Sequence, residues 1–234
     1  MMRQVVLDTE TTGLEVGKGH RLIEIGCIEL LERRPTQRKF HRYLNPQRAI
    51  DEGARVVTGI SDEFLLDKPL FAQIADDLLE FIGDAELIIH NAAFDLAFLD
   101  AELANADPRH GSLSGRAKVL DTLALAREKY PGQKNSLDAL CRRLGVDNTH
   151  RELHGALLDA ELLADVYLAM TAGQGDLGLS SAVFRVAPIR AFVSGVARAA
   201  LKVCVASAEE VAAHALRLAA IDATSKGRCR WRLD

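Results

Sequence analysis

The chain has 234 residues, 48% of them apolar, enough for one large domain, or one domain with a small appendage, around a packed core. No run reaches the roughly eighteen uninterrupted apolar residues of a membrane span, and no basic stretch leads into an apolar one at the N-terminus, so the chain reads as soluble, non-secreted and cytoplasmic. Residues 1–170 hold 20 Lys plus Arg against 28 Asp plus Glu, a balance of −8, and residues 171–234 hold 9 against 5, a balance of +4. An acidic body argues against a protein that grips long nucleic acid through phosphate contacts alone, and the basic tail suggests a separate task.

The first element is the strand Val5-Val6-Leu7, which runs into Asp8-Thr9-Glu10-Thr11-Thr12-Gly13. Alternate side chains of a strand share a face, so Asp8 and Glu10 aim their carboxylates into one space, where a divalent cation would relieve their repulsion. The pair alone is equally compatible with a strand ending in a polar turn. Arg21 to Leu31 alternates as a second strand and Lys39 to Leu44 as a third, with Arg33, Arg34 and Pro35 as turn material, which gives an antiparallel meander. The period then changes: Phe71, Ile74, Ala75, Leu78, Leu79 and Ile82 have the spacing of an amphipathic helix, with Pro69 near its first turn.

Leu87-Ile88-Ile89 is a buried strand leading into His90-Asn91-Ala92-Ala93-Phe94-Asp95, and the spacing of Phe94, Ala97, Phe98 and Ala101 puts Asp95 in the first turn of a helix. Val119-Leu120-Asp121 followed by Thr122 to Lys129 repeats the unit. Strand, helix, strand, helix with short joints predicts parallel strands added beside the first: an α/β fold with a mixed five-stranded sheet and helices on both faces. A last helix is expected from Ala156 to Met170, with Asp159 near its start and His154 in the glycine-flanked loop ahead of it. Taken singly, Asp95 and Asp159 would also serve as helix N-terminal acids, and His154 as a surface residue. Cys27, Cys141, Cys204 and Cys229 are scattered without a CxxC pair, which fits free thiols.

In the order DxE, then HNxxFD, then HxAxxD, these residues resemble the DEDDh 3′-5′ exonucleases, which have an RNase H-like fold. Within them the likeness is nearest to the epsilon family of proofreading subunits of bacterial DNA polymerase III. The resemblance implies removal of mispaired 3′-terminal nucleotides by hydrolysis with two divalent cations, Mg²⁺ or Mn²⁺, ions that favour carboxylate oxygens. Asp8, Glu10 and Asp159 would hold the metals, with Asp95 acting directly or through an intervening water, and His154 would be the general base. The same likeness implies that Asp8, Thr9, Glu10, Thr11, Leu14, Asn91, Phe94 and Asp159 surround the terminal nucleotide. Relatives usually carry a histidine before the Gly-Ile where this chain has Thr58; a threonine can still donate a hydrogen bond to phosphate or sugar but cannot stack.

Three domains are expected: an exonuclease domain over residues 1–170, a flexible linker over 171–182, and a polymerase-binding segment over 183–234. The linker is rich in Gly and Ser, and its Gln174, Leu177 and Leu179 resemble the QxxLxL peptide that docks replication proteins on the sliding clamp. In the tail, Leu201 to Val205 reads as a short strand, and Ser207 with Glu210 as a capping box opening an amphipathic helix through Val211, Ala215, Leu218 and Ala219. The tail, down to Cys229-Arg230-Trp231-Arg232, resembles the segment by which epsilon subunits bind the alpha subunit of the polymerase, and the family likeness also implies a small theta-like subunit. The alternatives are a stand-alone DEDDh nuclease on short RNA or DNA, and a non-catalytic polymerase and clamp adaptor; the latter predicts a missing acid or histidine, and none is missing.

Overall fold

The run Val5, Val6 and Leu7 is wholly inaccessible to solvent, as a β-branched segment near the chain start must be if it forms the middle of a sheet. In the computed structural model, which describes residues 2–149, 153–172, 205–226 and 231, that run lies in β1 (Arg3–Thr11). β1 pairs antiparallel with β2 (Leu22–Leu31), which pairs antiparallel with β3 (Arg34–Tyr43). Helices α1 (Glu52–Thr58), α2 (Asp62–Leu65) and α3 (Phe71–Ile82) lead to β4 (Glu86–Ile89), which lies parallel to β1 on its other side. After α4 (Ala92–Ala106) and the short α5 (Leu113–Arg116), β5 (Val119–Asp121) pairs parallel with β4. Then follow α6 (Thr122–Lys129), α7 (Leu137–Leu144) and α8 (Ala156–Thr171). The strand order is β3-β2-β1-β4-β5, the mixed five-stranded sheet expected from the sequence.

Strand alternation divides the core in two. Val5 and Leu7 pack with α3 and α4 residues such as Leu78 and Phe98, whereas Val6 packs on the other face with Leu140 of α7 and Leu163 and Val166 of α8. Each such fully buried side chain contributes on the order of 2 kcal/mol. Cys27 and Cys141 are buried and are not joined in a disulfide.

The β2–β3 hairpin departs from the expected boundary. β3 begins at Arg34, five residues before the predicted strand, and Arg34 and Pro35 already pair with Leu31 and Leu30. The turn is Glu32-Arg33, both with positive φ (47° and 63°), the two-residue geometry whose twist matches that of the strands it joins. Glycine or asparagine would have announced it; Glu and Arg do not. Pro35 is tolerated because β3 is an edge strand, where a missing N–H need not break a ladder.

The chain divides into two compact units, residues 1–181 and 182–234. In the second, α9 (Ala208–Thr224) opens with the expected capping box: the Ser207 N–H donates to Glu210 Oε2 at 2.8 Å and the Glu210 N–H donates to Ser207 Oγ at 3.2 Å. None of its residues is buried, and Val211, Leu216, Ile221 and the later Trp231 are exposed. Gln174, Leu177 and Leu179, the linker beyond Ala172, the expected strand residues 201–204, and Cys229, Arg230 and Arg232 lie outside the described residues.

One glycine fixes where α8 lies. A Cβ on Gly26 of β2 would collide with the Ala156 carbonyl carbon and the Leu157 nitrogen, so the first turn of α8 rests on bare backbone. Gly26 is the cross-strand partner of Asp8. Gly26→Ala should therefore force α8 away from the sheet at a cost of about 1–3 kcal/mol. Denaturant unfolding measures it, and a midpoint equal to wild type would show that α8 is not seated by this contact.

Candidate active site

The acids reach one place from opposite faces of the sheet. Asp8 and Glu10 follow Val6 on the α8 face, whereas Thr9 follows Leu7 on the α4 face. Asp95, in the first turn of α4, is 3% exposed and accepts a hydrogen bond from Thr9 Oγ1 at 2.7 Å. Burial pushes the Asp95 carboxyl from 3.8 up to about 7, against the opposing pull of the Thr9 hydroxyl and backbone N–H groups. Asp159, also 3% exposed, sits in the first turn of α8, where the helix dipole favours an anion.

His154 precedes α8 and is half-exposed, its Nδ1 3.4 Å from Asp159 Oδ2. Its backbone N–H donates to the Val57 carbonyl at 3.0 Å, and the Leu153 side chain fills the space where Gly59 lacks a Cβ. The end of α1 thus supports the histidine loop. Glu10, His154 and Asp159 bring one ligand atom each to within 4.8 Å of one another. Directly across the ladder from Glu10 lies Glu24, buried and hydrogen-bonded to His41 Nε2 at 2.7 Å.

A cleft of about 650 Å³ collects Asp8, Thr9, Glu10, Asn91, Phe94, Asp95, His154 and Asp159 on its walls. The sequence reading placed all eight there. It missed His90, from the joint between β4 and α4, and Leu123, Arg127, Gln133, Asn135, Ser136, Leu137 and Asp138, from α6, α7 and the joint between them, which complete the lining. Only the strand-to-helix joint at Asp121-Thr122 hinted at them. Asn91 takes a left-handed conformation (φ 66°), which asparagine tolerates, and its N–H donates to Asp121 Oδ1 at 3.1 Å. His90 Nδ1 is 2.9 Å from Thr122 Oγ1, and burial lowers the pKa of this ring.

Three expected contact residues lie elsewhere. Thr58 is buried, and its hydroxyl donates to the Ala54 carbonyl at 2.9 Å and accepts from the Ile60 N–H at 3.2 Å, so it finishes α1 rather than facing the cleft. Thr11 is buried and donates to the Gly13 carbonyl at 2.7 Å. Leu14 is 81% exposed and does not line the cleft.

Carboxylate oxygens with one imidazole form a donor set that suits a hard divalent cation, and no thiol among the described residues lines the cleft. A carboxyl buried as deeply as that of Asp95 ionises near neutral pH at a cost that such a cation would offset.

Residues 5–167 match the exonuclease family. The chain is 48% identical to the DNA polymerase III subunit epsilon of Escherichia coli over 98% of this chain and 97% of that one. It is 53% identical to the subunit of the same name from Rickettsia felis over 74% of this chain and 76% of that one. Among solved structures it is similar to exonuclease X in complex with 5′ overhanging duplex DNA (TM-score 0.58, 25% identity, 75% of this chain and 93% of that one). The exonuclease I of Methylocaldum szegediense shares the fold (TM-score 0.63, 18% identity, 75% and 42%). With the acids and the histidine gathered in one cleft and likeness running almost end to end, the chain belongs to the exonuclease family, among the bacterial DNA polymerase III epsilon subunits.

Proposed function

We propose that the chain is a proofreading 3′-5′ exonuclease of a replicative DNA polymerase III, hydrolysing the last phosphodiester of a single-stranded DNA 3′ end. The observation that carries this reading is the convergence of Asp8, Glu10, Asp95, Asp159 and His154 on one cleft. Asp8, Glu10 and Asp159 would hold two divalent cations, Mg²⁺ or Mn²⁺, with Asp95 as a further ligand, direct or through water. When bound, such ions supply a nucleophile at neutral pH and relieve charge on the leaving oxygen. His154 takes the proton of the attacking water on Nε2, the ring nitrogen not turned to Asp159, and Asp159 orients the ring and stabilises its charged form. Thr9, Asn91 and Phe94 cradle the terminal nucleotide, the phenyl face offering a surface for the base. Thr58 acts only by holding the end of α1 under the histidine loop.

The domain reading is residues 1–170 for catalysis, 171–182 as connector with Gln174, Leu177 and Leu179 as a clamp-docking peptide, and 183–234 for binding the alpha subunit. The unburied apolar residues of α9 support a tail completed by a partner. A theta-like third subunit and a place at the cytoplasmic replisome follow from the same reading.

Asp8→Ala should abolish nucleotide release from a 3′-mismatched primer in Mg²⁺, and His154→Ala should slow it roughly 10²–10⁴-fold. Undiminished release by either variant in a gel assay would remove that residue from the mechanism. Deleting residues 183–234 should spare hydrolysis but lose co-purification with the polymerase; loss of nuclease activity would make the tail part of the catalytic fold.

The Asp95 carboxyl gives a pH signature. Its folded-state pKa is raised, so its favourable contribution is complete below about 4 and is lost as pH rises through about 7. Without divalent cations the thermal midpoint should fall between pH 5 and 8, Asp95→Asn should flatten that fall, and Mg²⁺ should recover it at pH 8. Thermal melts in a chelator and in Mg²⁺ test this; an Asn variant with the wild-type slope would exclude Asp95 as its source.

A further inference from the structure

Helix α6 presents Leu123 and Arg127, one turn apart and so on one face, to the cleft that the acids line. Five carboxylates line this cleft, those of Asp8, Glu10, Asp95, Asp138 and Asp159, and Arg127 is its sole lysine or arginine among the described residues. Five arginines elsewhere on the molecule, Arg3, Arg21, Arg38, Arg55 and Arg109, are paired with acids. Arg127 is exposed and forms no hydrogen bond or ion pair among the described residues. Burial lowers the pKa of His90, against the pull of Asp121, and the Arg127 guanidinium lowers it further. The joint after α6 adds the neutral polar side chains of Gln133 and Ser136.

A single strand carries a phosphate at every step, and cations at the acids neutralise only the scissile one. The phosphate upstream would meet a cleft of uncompensated carboxylates unless the wall supplies a positive charge. A guanidinium does so with a planar fork that fits two phosphate oxygens. We propose that Arg127 anchors the strand by binding the phosphodiester one nucleotide 5′ of the scissile bond, so that the strand leaves the acids along the α6–α7 wall. The proposal rests on the exonuclease reading above.

The test compares two substrates: a single-stranded oligonucleotide, and the p-nitrophenyl ester of thymidine 5′-monophosphate, which has a scissile phosphodiester and no phosphate upstream. For the full-length chain, Arg127→Gln should raise KM for the oligonucleotide roughly tenfold with little change in kcat. It should change KM for the ester less than twofold, and lower the slope of log KM against log salt by about 0.7. Arg127→Lys should recover part of the loss. Equal losses on both substrates would place Arg127 at the scissile nucleotide, and no loss on either would leave it a solvated surface residue; either result overturns the proposal. Failure of the wild-type chain to hydrolyse either substrate would instead overturn the exonuclease reading itself.

Discussion

Carboxylates crowded into one cleft repel one another, and the site depends on holding them there against that repulsion. Two devices do so. The first is steric: Gly26 presents no side chain, so the start of α8 lies on β2 and Asp159 arrives beside the strand that carries Asp8 and Glu10. The second is polar: Thr9, on the other face of the same strand, donates to Asp95 and ties α4 to β1. Strand β1 thus gathers carboxylates from both layers of helices. The penalty is visible in the Asp95 carboxyl, pushed up to about 7 by burial. A site built this way is preorganised for cations, since the electrostatic work of assembling it is done during folding.

Much of this was legible in the residues. Alternation along Val5 to Glu10 put two carboxylates on one face, and helical spacing after Ile89 and from Ala156 put Asp95 and Asp159 in first turns. The Ser207 and Glu210 pair marked the start of α9. Other features left no local signal. The hairpin turned at Glu32-Arg33 because strand twist imposed a left-handed conformation that neither residue prefers, so β3 began earlier than the sequence suggested. Gly26 sits mid-strand, where a glycine usually marks weakness, and only the arrival of α8 gives it meaning. The α6–α7 residues were missed because they follow no chemical motif; the topology alone brings them to the cleft that the acids line.

The segment around Thr58 shows how a position can matter without touching substrate. Its hydroxyl closes α1, the Val57 carbonyl holds the backbone of His154, and Gly59 makes room for Leu153. The residue read from the sequence as a substrate contact is hydrogen-bonded into the end of α1, next to the loop that carries His154. Changes there would reach the imidazole of His154 through the backbone that holds its loop.

The half-exposed His154 stands at the rim of a centre whose partners Asp95 and Asp159 are almost wholly enclosed. A proton collected at that rim can pass straight to bulk water. In the mechanism proposed above, each cycle would therefore reset without a relay through the interior, and the enclosed carboxylates would stay ionised around the cations they hold.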